Sequence, residues 1–269
     1  MTLIHAKKSW GQHFLRDQAV LRAIASATEC GPDRPVLELG AGPGALTREL
    51  LARGGRVVAV ERDRDLVPVL RAECVSPYLE ILEANALTLD YAALAQQLAG
   101  PLTVAGNLPY QLGSRILVNL ADAGAAIAKA VVMVQLEVAE RLRAQPGTKA
   151  YGLLTVLVGR AFAVTLLRKV PPGAFVPAPK VTSAVVVLTA HATRPGPDVD
   201  AQLVAAARAA FSSRRKTLRN SLVTATRLAP NLVEGAISAA GLDARARSET
   251  LDLAALTRLG TSLSEVWQP

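Results

Sequence analysis

Short apolar runs alternate with stretches whose apolar residues recur every three or four positions. PVLELG (35–40) predicts a strand ending at glycine, and PGALTRELLARGG (43–55) a helix stopped by a Gly-Gly pair. RVVAVE (56–61) predicts a second strand and RDLVPVLRAEC (64–74) a second helix. YLEILEAN (78–85), PLTVAGN (101–107) and AVVMVQ (130–135) predict further strands, with helical spacing between them at 90–99 and 113–123. FAVTLLRKV (162–170) and SAVVVLTA (183–190) read as late strands, an antiparallel pair at a sheet edge. This alternation implies an α/β fold with a mostly parallel sheet covered on both faces.

HATRPGPDVD (191–200) is rich in proline and polar residues and reads as a linker. Alanine- and leucine-rich helical spacing follows it. The expected division is a catalytic domain at 1–190, then linker and small helical domain at 191–269. A chain of 269 residues, 51% of them hydrophobic, has material for one large core and one small one. No apolar run spans a membrane, and the first residues, MTLIHAKKSWGQ, lack an apolar leader. Cys30 and Cys74 have no metal-type spacing and read as idle thiols in a reducing cytoplasm.

The net charge of +8 is unevenly placed. Residues 141–233 hold 14 Lys/Arg against Asp198 and Asp200, a net +12, whereas the segments on either side are each net −2. A stretch so depleted of acids points to a polyanionic partner, nucleic acid before anionic membrane. Arg214, Arg215, Lys216 and Arg219 fall on a predicted helix within it. As phosphate contacts they would position RNA without reading its sequence.

ELGAGPGALT sets Gly40, Gly42 and Gly44 between the first strand and its helix. Glycines allow a sharp turn and a close ligand approach, and the helix start offers N–H groups. Seventeen positions after Gly44 the second strand ends at Glu61, where a carboxylate can accept from ribose hydroxyls. Dinucleotides and S-adenosylmethionine both suit such a site. The pattern E-x-G-x-G-x-G from Glu38, instead of G-x-G-x-x-G, resembles the first motif of S-adenosylmethionine-dependent methyltransferases.

NLPY (107–110) closes the fourth strand. In this sheet type Asn107 would face the ligand cleft. An adenine exocyclic amine is a poor nucleophile because its lone pair is delocalised into the ring. Two acceptors on its hydrogens would favour a pyramidal nitrogen and aim the lone pair at a methyl group. Asn107 can supply a side-chain oxygen. The Leu108 carbonyl can be the second acceptor, because Pro109 fixes the backbone there. Tyr110 offers a ring for stacking, worth about 1–3 kcal/mol, and Phe175 in FVPAPK a second ring. The base must be extruded or unpaired to enter. A sulfonium methyl is already activated, so no metal is demanded.

With these motifs in order, the chain resembles the small-subunit ribosomal RNA adenine N6,N6-dimethyltransferases, the KsgA-type family. KKSWGQHFLRD, ELGAGPGALT, VERD, GNLPY, KAYG, FVPAPKV and SSRRKTLRNSL follow the family's order and approximate spacing. The last two speak against the related erythromycin-resistance enzymes. The resemblance implies a Rossmann-like methyltransferase sheet with a small C-terminal helical domain. It implies a cytoplasmic monomer that transfers four methyl groups from S-adenosylmethionine to two adjacent adenines. Those adenines would lie near the 3′ end of small-subunit rRNA, in a partly assembled 30S particle. It places Gln12, His13, Leu15, Gly40, Gly42, Glu61, Asn85 and Asn107 at the S-adenosylmethionine site, and Asn107, Leu108, Tyr110 and Phe175 on the adenine. Three departures stand out: Asn85 replaces a usual aspartate, His13 a usual asparagine, and Leu136 a common lysine. The Asn85 amide oxygen is expected to accept from the cofactor's adenine amine. A different RNA or DNA substrate, and a factor that keeps the fold without turnover, are the rival readings.

Overall fold

The structure, a computed structural model, describes Lys7, residues 12–213 and residues 215–268. Two short strands, β1 (Phe14–Leu15) and β8 (Phe175–Val176), pair antiparallel. The main sheet contains β2 (Val36–Leu39), β3 (Val57–Glu61), β4 (Leu79–Glu83), β5 (Leu102–Asn107), β6 (Ile127–Gln135), β7 (Phe162–Val170) and β9 (Ser183–Ala190), in the order β4–β3–β2–β5–β6–β9–β7. The strands from β4 to β6 are parallel, and β9 runs antiparallel to β6. Every residue of β2 and β3 is buried, which is why both read as unbroken apolar runs instead of alternating ones. The late strands lie side by side at the edge, with β7 outermost.

Helix α1 (Gln18–Ala27) precedes β2, and α2 (Ala45–Leu51), α3 (Val67–Glu73), α4 (Tyr91–Gln97) and α5 (Gly113–Asp122) join the successive parallel strands. The sequence pattern passed over α1, although Asp17 caps it by accepting from the Ala19 and Val20 N–H groups. Beyond β6 come α6 (Leu136–Leu142), α7 (Leu153–Gly159), α8 (Pro197–Ala210), α9 (Leu218–Thr226), α10 (Pro230–Ala239) and α11 (Leu253–Ser264).

The chain divides into two compact units, Met1–Ala139 with Ala163–Ala190, and Glu140–Phe162 with His191–Pro269. The expected break after 190 coincides with the end of β9. Residues 140–162, assigned from sequence to the first domain, go with the second. Tyr151 and Val156 are buried in the helical core with Leu203, Leu218 and Leu256, and the Tyr151 hydroxyl donates to the Leu251 carbonyl at 2.7 Å. The expected linker also ends early, because α8 begins at Pro197. Proline there has its φ preset and needs no hydrogen-bond donor, and Asp198 and Asp200 suit a first helical turn.

Candidate active site

Strand β2 lies between β3 and β5, so chain connections leave it in opposite directions and open a crevice at the carboxyl ends. Those ends deliver Gly40, Glu61 and Asn107 to one place. At the crossing point the backbones nearly touch: a Cβ on Gly106 would lie 2.5 Å from the Leu39 carbonyl oxygen. A cavity of about 350 Å³ opens there. Gln12, His13, Leu15, Gly40, Gly42, Glu61, Asn85, Asn107, Leu108 and Tyr110 all line it, and every lining residue comes from the first unit.

The glycine loop is held by the end of β3. Gly40 and Ala41 donate their N–H groups to the Val60 carbonyl, and Gly42 donates to Glu61 Oε2 at 2.8 Å. Gly40 and Gly42 have φ of +71° and +56°, a conformation that side-chain-bearing residues rarely adopt. The N–H groups of Gly40, Ala41 and Gly42 are thus bonded within the protein, and the helix start at Ala45 is what the loop leaves facing a ligand. Glu61 has a second tie, accepting from the Asp63 N–H at 2.8 Å through Oε1. Burial pushes its carboxyl up, against the pull of those backbone donors. A carboxylate has about four lone-pair directions, so ribose hydroxyls still find acceptors.

Glu38, mid-strand in β2, also lines the cavity and is 1% exposed. Burial pushes its carboxyl up to about 8; the Thr47 hydroxyl, donating at 2.6 Å, pulls the other way, and neighbouring Glu61 adds repulsion. Burial therefore favours the protonated, neutral form of this group over its carboxylate.

Gln12 is tied down beside the cavity. Its Nε2 donates to Asp63 Oδ2 at 2.8 Å, and its Oε1 accepts from the Lys7 N–H at 2.8 Å. Lys7 Nζ reaches Asp63 at 2.5 Å and Asp65 at 2.7 Å. Burial opposes ionising Asp63, but the bonds from Lys7 and Gln12 outweigh it and hold the carboxyl below its usual range.

Asn107 Nδ2 donates to the His13 carbonyl at 2.8 Å. A carbonyl only accepts, so this bond fixes which end of the amide is nitrogen and leaves Oδ1 as the uncommitted end. Leu108 donates its N–H to Met133, and the Pro109 carbonyl takes the Leu112 and Gly113 N–H groups. None of these bonds uses the Leu108 carbonyl. The Tyr110 hydroxyl is anchored to Ser183 Oγ at 2.6 Å. Its ring is stacked on His13, with centroids 5.4 Å apart and planes at 27°.

Two expectations meet a different geometry. Phe175 is 2% exposed, pairs with Leu15 and belongs to the core cluster of the first unit; it is not among the lining residues. The ring that faces Tyr110 is His13. Asn85 Oδ1, expected to accept from an adenine amine, already accepts from the Leu87 N–H at 3.1 Å. One lone pair of that oxygen is committed, and the group left unassigned is the donor Nδ2.

The family model for ribosomal RNA adenine dimethylase matches residues 4–255. The chain belongs to that family. It is accordingly an rRNA adenine dimethyltransferase, with S-adenosylmethionine as methyl donor. It is 47% identical to the ribosomal RNA small subunit methyltransferase A of Anaeromyxobacter dehalogenans (strain 2CP-C), across 97% of this chain and 94% of the relative. The protein of that name in Myxococcus xanthus (strain DK1622) is 45% identical, across 92% and 87%. Among solved structures, the 23S rRNA methyltransferase ErmE is 30% identical with a TM-score of 0.67, covering 93% of this chain and 99% of its own. A dimethyladenosine transferase from Plasmodium falciparum superposes with a TM-score of 0.73 over 94% and 98% at 22% identity, a likeness of fold.

The dimethylase's basic segment is built differently from the expected continuous helix. Arg215 and Lys216 lie in the turn before α9, which starts at Leu218 because Thr217 caps it, its hydroxyl accepting from the Asn220 N–H. Arg214 lies outside the described residues. Lys216 Nζ donates to Thr224 at 3.1 Å, and Arg219 is paired with Glu234. The loop 243–249 docks on this turn: Leu218 and Arg219 donate to the Ala246 and Ala244 carbonyls, and Arg247 donates to the Arg215 carbonyl at 2.9 Å. It adds the exposed Arg245 and Arg247 to the cluster. Charge counting missed both, because residues 234–269 are net acidic. Among the described residues no helix is long and apolar enough to cross a membrane, and no group of three or more potential ligands suits a metal.

Proposed function

We propose that this enzyme dimethylates the N6 nitrogens of two adjacent adenines near the 3′ end of small-subunit rRNA, acting in the cytoplasm on a partly assembled small subunit. Two comparisons favour that substrate: 47% identity to a small-subunit enzyme across nearly the whole chain, against 30% to a large-subunit one. The observation that carries the site is Asn107. Its nitrogen is bound to the His13 carbonyl, so its oxygen is the end left to meet an amine.

Gly40 and Gly42 would leave room for the cofactor, Glu61 would take its ribose hydroxyls, and Asn85 would meet its adenine. S-adenosylmethionine supplies an activated methyl group on sulfonium. In the first transfer Asn107 Oδ1 and the Leu108 carbonyl would accept from the two hydrogens of the target amine and turn its lone pair out of conjugation; the second transfer has one hydrogen left for one acceptor, and each transfer releases one proton from the nitrogen. Tyr110, fixed through Ser183, sets the plane of the base. Rate then comes mainly from placement, which can be worth about 7–11 kcal/mol when reactants are aligned. One chain supplies the whole cavity lining, consistent with a monomer.

The test is mass spectrometry of small-subunit RNA incubated with the protein and isotope-labelled S-adenosylmethionine. Two dimethyladenosines in one 3′-terminal fragment are expected; label confined to large-subunit RNA would overturn the substrate assignment.

Replacing Asn85 by aspartate keeps an acceptor for the Leu87 N–H and adds a charged oxygen. S-adenosylmethionine should then bind about fivefold tighter by titration calorimetry, the gain of about 1 kcal/mol from a charge-assisted bond. Arg215→Glu should weaken RNA binding and make the log–log salt dependence shallower by about one to two. An unchanged slope would place Arg215 off the RNA path.

A further inference from the structure

His13 makes three contacts at once. Its carbonyl receives Asn107 Nδ2 at 2.8 Å. Its ring is stacked on Tyr110 at 5.4 Å. Its Nδ1 meets the Pro177 carbonyl at 2.7 Å, and because a carbonyl only accepts, Nδ1 carries the hydrogen. Pro177 lies just past β8, in the FVPAPK stretch, so one side chain links that loop to NLPY. The two groups it touches on the cavity wall, Asn107 and Tyr110, are those assigned to the target base.

We propose that His13 is a positioning residue for methyl transfer. The ring, anchored at Nδ1, backs Tyr110 and fixes the tilt of its plane. The same anchorage keeps the His13 carbonyl where it turns Asn107, so that Oδ1 and not Nδ2 is presented to the amine. This assignment differs from a cofactor contact, since the residue acts through the base-side groups. It rests on the reading of Asn107 and Tyr110 as the base pocket.

The experiment is single-turnover methylation of small-subunit RNA by His13→Ala, His13→Phe and Tyr110→Ala, with cofactor affinity measured calorimetrically in parallel. His13→Ala is expected to lose at least tenfold in rate at saturating S-adenosylmethionine while its Kd for the cofactor changes less than threefold. His13→Phe, which keeps a ring against Tyr110 but has no Nδ1 donor, should recover part of the rate. Adding His13→Ala to Tyr110→Ala should cost less than it does alone, because the stacked partner is already gone. A wild-type rate in His13→Ala, a defect fully explained by weaker cofactor binding, or full additivity with Tyr110→Ala would overturn the proposal. Asn107→Ala is the control. If it remains active, the base-pocket reading itself fails; if it is dead while His13→Ala is normal, only the role of His13 falls.

Discussion

Asn107→Ala is expected to lower methyl transfer about 10²–10³-fold or more, while S-adenosylmethionine binds within a few fold of wild type. The magnitude is that of removing one preorganised hydrogen-bonding group aimed at the reacting centre. The selectivity follows from the geometry. Asn107 ends β5 beside Pro109 and Tyr110, whereas the glycine loop and Glu61 are held by bonds that do not involve its side chain. Alanine is compatible with a strand end, and the site is half-buried, so the fold survives. Asn107→Asp is the informative companion. It keeps an oxygen but has no nitrogen for the His13 carbonyl, so two oxygens would face each other and the side chain would swing away. Single-turnover rates paired with calorimetry check both variants. Wild-type turnover in Asn107→Ala would remove the acceptor role; a parallel collapse of cofactor affinity would move the residue to the cofactor side.

The parts of this site legible in the sequence are those that one strand end or one turn determines. A buried parallel strand reads as an apolar run, and the residue that ends it falls at the crevice. Glu61, Asn107 and Gly40 are therefore placed by their position in the run alone. What could not be read depends on pairs far apart in the chain. Nothing local says that Gly42 and Glu61, 19 residues apart, hydrogen-bond and so commit the Gly42 N–H and one carboxylate oxygen to each other. Phe175 stands between prolines as an exposed ring would, yet its pairing with Leu15 draws it into the core. Residues 140–162 carry helical spacing that is satisfied by a core assembled from side chains after residue 200. Arg245 and Arg247 sit in an acidic stretch, and hydrogen bonds to main-chain carbonyls across some 30 residues, one of them from the Arg247 guanidinium, bring them to Arg215. Thr217 is the exception: a hydroxyl followed at N3 by Asn220 was a readable cap, and it would have moved the start of α9 past Arg215 and Lys216, leaving Arg219 on the helix.

Glu38 gives the second large effect, on stability. Its carboxyl titrates near 8 in the folded protein, against 4.5 for the ordinary side chain. Between those values the folded state keeps a proton that the unfolded chain has released. Stability from this group is therefore complete below about pH 4.5 and is lost as pH rises through 8, at up to about 1.4 kcal/mol per pH unit. The whole change is on the order of 4–5 kcal/mol, a large part of a domain's usual stability of about 5–15 kcal/mol. Glu61, also pushed up by burial, adds a slope of the same sign. Glu38→Gln should remove most of the dependence. The amide is neutral at every pH, and its oxygen can still accept from the Thr47 hydroxyl. Urea midpoints from pH 5 to 9 are expected to fall steeply for the wild type and weakly for Glu38→Gln, with the variant the more stable above pH 8. Parallel curves would mean that Glu38 is ionised in the fold. The crevice would then hold an ionised Glu38 before any cationic ligand arrives.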